Sequence, residues 1–355
     1  MQKRIMKHVY ILRRLYPHWA EHSGIHQFTR YLDSDRFRVT MRSVPMGEDE
    51  FRISRLRDYF KKKLEAESNG VYKLNDADAE LNLFLTSLYR KMDIVHMLDA
   101  EHSLMYLPFW FRWIKAVKKC PKIIAMFHQP PSILSSLVAL KACMLVDCIM
   151  VLSGEQADFF KKFVPAEKIK LVFHGIDTGH YRPSNGYKDS DKLKCLAAGV
   201  WLRDYDAFIE TAKLLEEDSR IEFHIVSTDV QIPAEARNIV IHRNITDAAL
   251  LSLYQSCHVL FMPLKEATAN NVLLEGIACG LPVVSSDLSS VKAYLPGDEA
   301  VLIKGNDPVE FSKVLTGLMH APERLRAMSV AARKRAETLS WPAVAEQYME
   351  LYLSL

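Results

Sequence analysis

Short apolar runs recur along this chain, each followed by a polar loop and then by a stretch with helical spacing. That alternation constrains the fold more than any other feature, because it is the pattern of parallel βαβ units. The runs are residues 9–12, 94–98, 123–127, 148–152 and 169–173, and the series restarts at 193–199, 223–226, 239–241, 259–262 and 283–285. Runs without a polar face suit strands covered by helices on both sides. Between the two series lies PSNGYKDSDK, residues 183–192, the most polar and turn-rich interval and the place for a linker. The pattern predicts two doubly wound α/β domains, 1–184 and 185–338, with 339–355 as a closing helix that carries an aromatic and leucine stripe. A length of 355 residues accommodates two such domains.

Composition narrows the function classes. Hydrophobic residues at 49% and charged residues at 25% are ordinary globular values, which argues against long disordered stretches. A net charge of +3 is too small to indicate a nucleic-acid partner. The six cysteines form no C-x-x-C pair and no metal spacing, and read as buried thiols in a reducing compartment. The first apolar run is broken by Arg13 and Arg14, so the N-terminal stretch reads as a strand and not as a signal peptide. No window approaches the roughly 20 apolar residues of a membrane span. The expectation is therefore a cytoplasmic protein whose membrane contact, at the inner face, is peripheral.

Basic residues cluster twice. Arg52, Arg55, Arg57, Lys61, Lys62 and Lys63 lie close together, and Arg112, Lys115, Lys118 and Lys119 interleave with Trp110, Phe111 and Trp113. Residues 104–119 admit two placements: on a membrane, with Trp110 and Trp113 inserted and the lysines at phosphates, or packed on the chain's own sheet.

Residues 265–284, KEATANNVLLEGIACGLPVV, carry the chemistry. Asn270 and Asn271 precede Val272, Leu273, Leu274, Ile277 and Ala278 at helical spacing, and read as an N-cap region. A helix starting there points free N–H groups and a positive dipole end at a ligand over the loop, which suits a diphosphate. Glu275 falls one turn inside, able to accept from the vicinal hydroxyls of a ribose, while Glu266 could reach the sugar side of the same ligand. An ordinary helix with a surface glutamate and a C-cap at Gly280 accounts for the same residues without a ligand.

This stretch resembles the signature of the retaining glycosyltransferases of family 4, with the match specific over residues 272–284, including the Ala-Cys-Gly-x-Pro-Val-Val run. It departs at the front: eight residues separate Glu266 from Glu275, one more than the family's usual spacing, so that Ala267 stands in the first glutamate's slot. The resemblance implies the GT-B fold, two Rossmann-like domains facing across a cleft, with the last helix crossing back to the N-terminal domain. It also implies that Glu275 holds the ribose, that backbone amides at Asn270, Asn271 and Val272 hold the diphosphate, and that Glu266 meets the donor sugar. His174, Gly175, Ile176 and Asp177, with Tyr181 and Pro183, are similar to the element that closes the family's N-terminal domain, and read as a structural turn.

Other candidates follow strand ends, where open α/β sheets bind ligands. His128 suits a sugar hydroxyl or the orientation of an acceptor, or else a structural role beside Pro130 and Pro131. Asp99, Glu101 and His102 suit acceptor contacts, and Asp99 could as easily cap the helix that follows, the reading preferred here. In the resemblance Gly24 lets the backbone approach the diphosphate, Arg203 takes the place of the cations that meet the donor phosphates, and Asn244 falls where the base is read. An unpaired surface arginine is the alternative at Arg203, and a plain turn residue is the alternative at Gly24.

The reading is a retaining, metal-independent glycosyltransferase with His128, Glu266 and Arg203 as catalytic residues. No Asp-x-Asp pair of a metal-dependent transferase stands out. It needs no cofactor beyond its co-substrate, a UDP- or GDP-sugar, and its acceptor is a glycan or lipid-linked hydroxyl. The alternative is a nucleotide-sugar-binding protein without activity that partners an active subunit.

Overall fold

The computed structural model describes residues 6–16, 21–45, 54–68, 71–184, 191–233 and 236–355. Arg52, the side chains of Arg55 and Arg57, and most of the 183–192 linker lie outside the described residues. The chain forms two compact units, one from residues 1–19, 24–173 and 344–355, the other from 20–23 and 174–343.

The first unit carries β1 (Lys7–Leu15), β2 (Phe37–Pro45), β3 (Ile94–Met97), β4 (Lys122–Phe127), β5 (Cys148–Val151) and β6 (Ile169–Leu171). They form one parallel sheet in the order β2-β1-β3-β4-β5-β6. The second unit carries β7 (Leu193–Ala198), β8 (Ile221–Val226), β9 (Ile239–His242), β10 (Val259–Met262), β11 (Val283–Ser286) and β12 (Ala300–Ile303). Their order is β12-β11-β10-β7-β8-β9, again parallel. Strand order reverses between β1 and β3 in the first sheet and between β7 and β10 in the second. In such sheets ligands sit outside the carboxyl ends at those reversals.

Every residue of β3, β5, β10 and β11 is buried, which is why their sequences are mostly apolar; their polar members His96, Ser285 and Ser286 each have a hydrogen-bond partner. The series of runs includes neither β2 nor β12. Both are edge strands: β2 alternates Arg38, Thr40 and Arg42 with its apolar residues, and β12 is only half-buried. The wet face of β2 keeps polar residues, so no run flags it, whereas β12 is itself a short apolar run, AVLI, that the series leaves out.

The division between units falls at 173/174, before the polar 183–192 stretch, because the segment after β6 is already tied into the second unit. Ile176 N–H donates to the Leu339 carbonyl at 2.9 Å, and Trp341 N–H returns a bond to the Ile176 carbonyl at 3.1 Å. The last helix, Trp341–Ser354, joins the first unit from Val344 onward. There Tyr348 stacks on Phe28 with ring centroids 3.9 Å apart, and the Tyr352 hydroxyl lies 2.7 Å from His96 Nδ1. Among the described residues no helix is long and apolar enough to cross a membrane. All six cysteines are free thiols, and all but Cys120 are buried.

Candidate functional site

The reversal between β7 and β10 brings two loops together. Leaving β7, the chain turns sharply with φ of 83° at Gly199 and 60° at Leu202. Arg203 folds back over that turn: its Nε donates to the Ala198 carbonyl at 3.0 Å and its Nη1 to the Trp201 carbonyl at 2.9 Å. A Cβ at Gly199 would lie 3.1 Å from Arg203 Nη2, and the positive φ disfavours one further, so this position requires glycine. Arg203 Nη2 reaches Asn270 Oδ1 across the reversal at 3.4 Å. Arg203 is half-buried, its side chain bonded to three acceptors of this site, and burial lowers its pKa.

The loop after β10 is braced from three sides. Lys265 N–H donates to the Leu202 carbonyl at 3.0 Å. Leu264 N–H donates to Ser286 Oγ at 2.6 Å. Asn306 Nδ2 spans the Leu264 carbonyl at 2.9 Å and Asp204 Oδ2 at 2.8 Å. Glu266 is half-buried in this loop. Asn270 then caps the Asn271–Ala278 helix, its Oδ1 accepting from Val272 N–H at 3.1 Å and Leu273 N–H at 3.4 Å. A guanidinium and a helix amino end are thus held at one point by shared contact with one amide side chain. Two positive features so placed favour an anion.

Glu275, in the same helix, is not a surface residue. It is buried; its Oε2 accepts from Tyr254 OH at 2.8 Å and its Oε1 from Ser23 Oγ at 2.8 Å. Burial raises its pKa, and hydrogen bonds from Tyr254, Ser23 and Tyr181 oppose the rise. A ribose diol at this carboxylate has to share it with Ser23 or displace it. Asn244 stands exposed after β9 with φ of 51°. Its neighbour Arg243 fastens the loop after β8 by donating from Nη2 to the Val230 carbonyl at 2.7 Å.

The first unit has its own cluster at the β1–β3 reversal. Asp99 does not cap the Ala100–Ser103 helix with its side chain; its Oδ2 accepts from Arg14 N–H at 2.8 Å and its Oδ1 from Tyr16 OH at 3.3 Å, bridging the two strand ends. The backbone of β1 continues past β3, so its donors outcompete the local cap. Glu101 is buried: Oε1 accepts from His128 N–H at 3.1 Å, and Oε2 has no hydrogen-bond partner among the described residues. Burial pushes its pKa up to about 7. His128 Nε2 lies 2.6 Å from the Leu98 carbonyl. His102 is pushed down to about 4, by burial first and then by Arg14, and so is neutral at pH 7. Gly24, with φ of 98°, opens the Ile25–Tyr31 3-10 helix.

Glu101 makes stability pH-dependent. Its folded-state pKa of about 7 lies above an unfolded value of about 4.3, so the folded chain holds the extra proton between them. The stabilisation is complete below the unfolded value and is lost as pH rises through the folded one. Glu101→Gln removes this loss, and urea unfolding should show the variant gaining about 3 kcal/mol on the parent between pH 4 and pH 8. An offset that does not change with pH would mean that the buried carboxyl never takes up the proton.

Residues 194–321, which contain both loops and the capped helix, match the family described as Glycosyl transferases group 1. Over that stretch this chain resembles the group 1 glycosyl transferases. Its fold agrees along nearly its whole length. Sucrose-phosphate synthase from Thermosynechococcus elongatus superposes with a TM-score of 0.67 at 16% identity, over 97% of this chain and 98% of that one. Anabaena HepE, solved in complex with UDP and glucose, gives 0.68 at 12% identity, over 99% and 100%. The fold is GT-B. Among curated proteins, a D-inositol 3-phosphate glycosyltransferase of Thermomonospora curvata is 25% identical over 52% of this chain and 51% of its own length. The chain spans about half the length of such relatives.

The sequence singled out Arg203, Asn270 and Glu275; the structure places the first two in contact and buries the third in the helix that Asn270 caps. Ser23, Tyr254, Ser286 and Asn306 were missed. Ser286 had a legible signal, a hydroxyl at the carboxyl end of an apolar strand.

Proposed function

We propose that this chain is a group 1 glycosyl transferase that moves a sugar from a UDP- or GDP-sugar to a hydroxyl of a glycan or lipid-linked acceptor, with retention of configuration and without a metal ion or further cofactor. The contact of Arg203 with Asn270, the cap of the Asn271–Ala278 helix, carries the reading. As the bond between the anomeric carbon and the diphosphate breaks, its electron pair leaves with the phosphate oxygen, and charge there is stabilised by Arg203 and the helix amino end. Glu275 serves the ribose, Glu266 the donor sugar, and the turn at Asn244 the base, while Gly24 lets backbone close on the diphosphate. Glu101, His102 and His128 face the acceptor. Support for the donor class comes from HepE, whose complex holds UDP and glucose, and from the inositol 3-phosphate glycosyltransferases among the relatives. Retention is supported by the likeness of residues 272–284 to retaining enzymes.

One observation favours a second reading, nucleotide-sugar binding without turnover: both Glu275 oxygens are engaged by protein hydroxyls. Thermal unfolding with UDP, GDP and their sugars tests both. A ligand at a hundredfold excess over its Kd stabilises the folded chain by about 2.7 kcal/mol. Stabilisation by one diphosphate series, with release of free sugar or transfer to an acceptor, supports the enzyme; stabilisation without turnover supports the second reading. A well-folded chain indifferent to every member of the panel overturns both.

A further inference from the structure

We propose that the amino edge of the first unit's sheet is a docking surface for an anionic lipid bilayer. In a parallel sheet the segments entering the strands share one edge, and those leaving them share the other. The segments entering β3 and β4 line two adjoining cavities of about 360 and 650 Å³, which have Lys118, Lys119 and Lys122 in common. Arg90, Arg112 and Lys115 line one or the other. The acidic residues on these walls are already engaged: Asp93 accepts from His8 N–H at 2.9 Å, and Asp147 pairs with Lys122 at 2.7 Å. Arg112, Lys115 and Lys119 are exposed and make no ion pair among the described residues. The net charge of the edge is therefore strongly positive, although the whole chain is only at +3.

Apolar side chains stand among these cations. Trp113 is 76% exposed, Val117 87% and Tyr89 73%. Trp113 and Val117 are four residues apart and continue one face of the Leu107–Ile114 helix, whose turn extends through Val117 N–H to the Ile114 carbonyl at 3.0 Å. Of the two placements open to Trp110, the structure takes the inward one, 5.5 Å from Phe84 and 5.8 Å from Tyr106. Aromatic rings ringed by lysines match the interface of an anionic bilayer, rings at headgroup level and ammonium groups at phosphates. A second copy of the same surface would meet it with like charge.

The placement separates docking from chemistry. Glu101 and His128 lie at the carboxyl ends of β3 and β4, and β4 spans six residues, so they stand about 20 Å from the edge that meets the bilayer. The surface holds the chain at a membrane and does not hand it a headgroup. It does not depend on the proposed reaction, and its failure would leave that reading untouched.

The test is sedimentation of the full chain with vesicles of phosphatidylcholine alone and with added phosphatidylglycerol. Binding is expected to the anionic vesicles only, to weaken with salt, and to shift tryptophan emission to the blue in the parent but much less in Trp113→Ser. Lys115→Ala with Lys119→Ala should lower partitioning about thirtyfold, at about 1 kcal/mol per lysine, with the melting temperature unchanged. The proposal fails if the parent ignores anionic vesicles, if it binds neutral ones equally, or if the double variant binds like the parent. It also fails if the chain takes up soluble polyphosphate but no vesicles, or forms a dimer that shields Trp113.

Discussion

Arg203→Ala is expected to lower kcat/KM for the proposed sugar transfer by roughly 10²–10³, the usual consequence of removing one preorganised donor from a developing oxyanion. The side chain does two things at once. Three of its nitrogens hold the Ala198 and Trp201 carbonyls and Asn270 Oδ1, which sets the shape of the β7 turn and the place of the helix cap. The remaining N–H groups on its terminal nitrogens are directed by that fixed geometry. Arg203→Lys keeps the charge but cannot span three acceptors, and is expected to recover only a minor part of the lost rate. Steady-state kinetics with the donor identified by thermal stabilisation would measure this. Full activity in Arg203→Lys would reduce the residue to a point charge, and full activity in Arg203→Ala would remove it from the reaction.

Gly175→Ala is expected to destabilise the second unit by about 3–5 kcal/mol, close to the effect of deleting a buried tryptophan. A Cβ there would sit 2.3 Å from Trp341 Cε3 and 2.6 Å from Cδ2, distances that no small adjustment relieves. Trp341 is fully buried and flanked by the backbone bonds between Ile176 and the Leu339–Trp341 segment, so the ring cannot move without breaking them. Guanidinium unfolding would report the change as a lower midpoint. A loss under about 1 kcal/mol would show that the ring has room after all. The sequence marked residues 174–177 as a structural turn; the reason for the glycine is a tryptophan 166 positions later, which no local pattern contains.

The central strands were legible because burial on both faces keeps them mostly apolar, and β2 was not because its wet face carries Arg38, Thr40 and Arg42. The start of the Asn271–Ala278 helix was legible because capping is local, an amide side chain bonding N–H groups two and three residues ahead. Asp99 looked equally local and was not. Its carboxylate went to Arg14 and Tyr16, donors that arrive only when β1 lies beside β3.

Chain order, periodicity and capping chemistry are properties of neighbours in sequence, and they determined the two parallel sheets and the capped helix at Asn271, while the glycosyl transferase reading came from the resemblance of residues 272–284. Which carboxylates are buried and which are already bonded depends on groups from distant segments. Ser23 and Tyr254 on Glu275, His128 on Glu101, and Asn306 under the β10 loop were all decided by tertiary structure. The amino edge falls between the two cases: its lysines and tryptophans were visible as a cluster, but only packing turned Trp110 inward and left Trp113 in water. Helical spacing within so short a segment does not say which face its own sheet will cover.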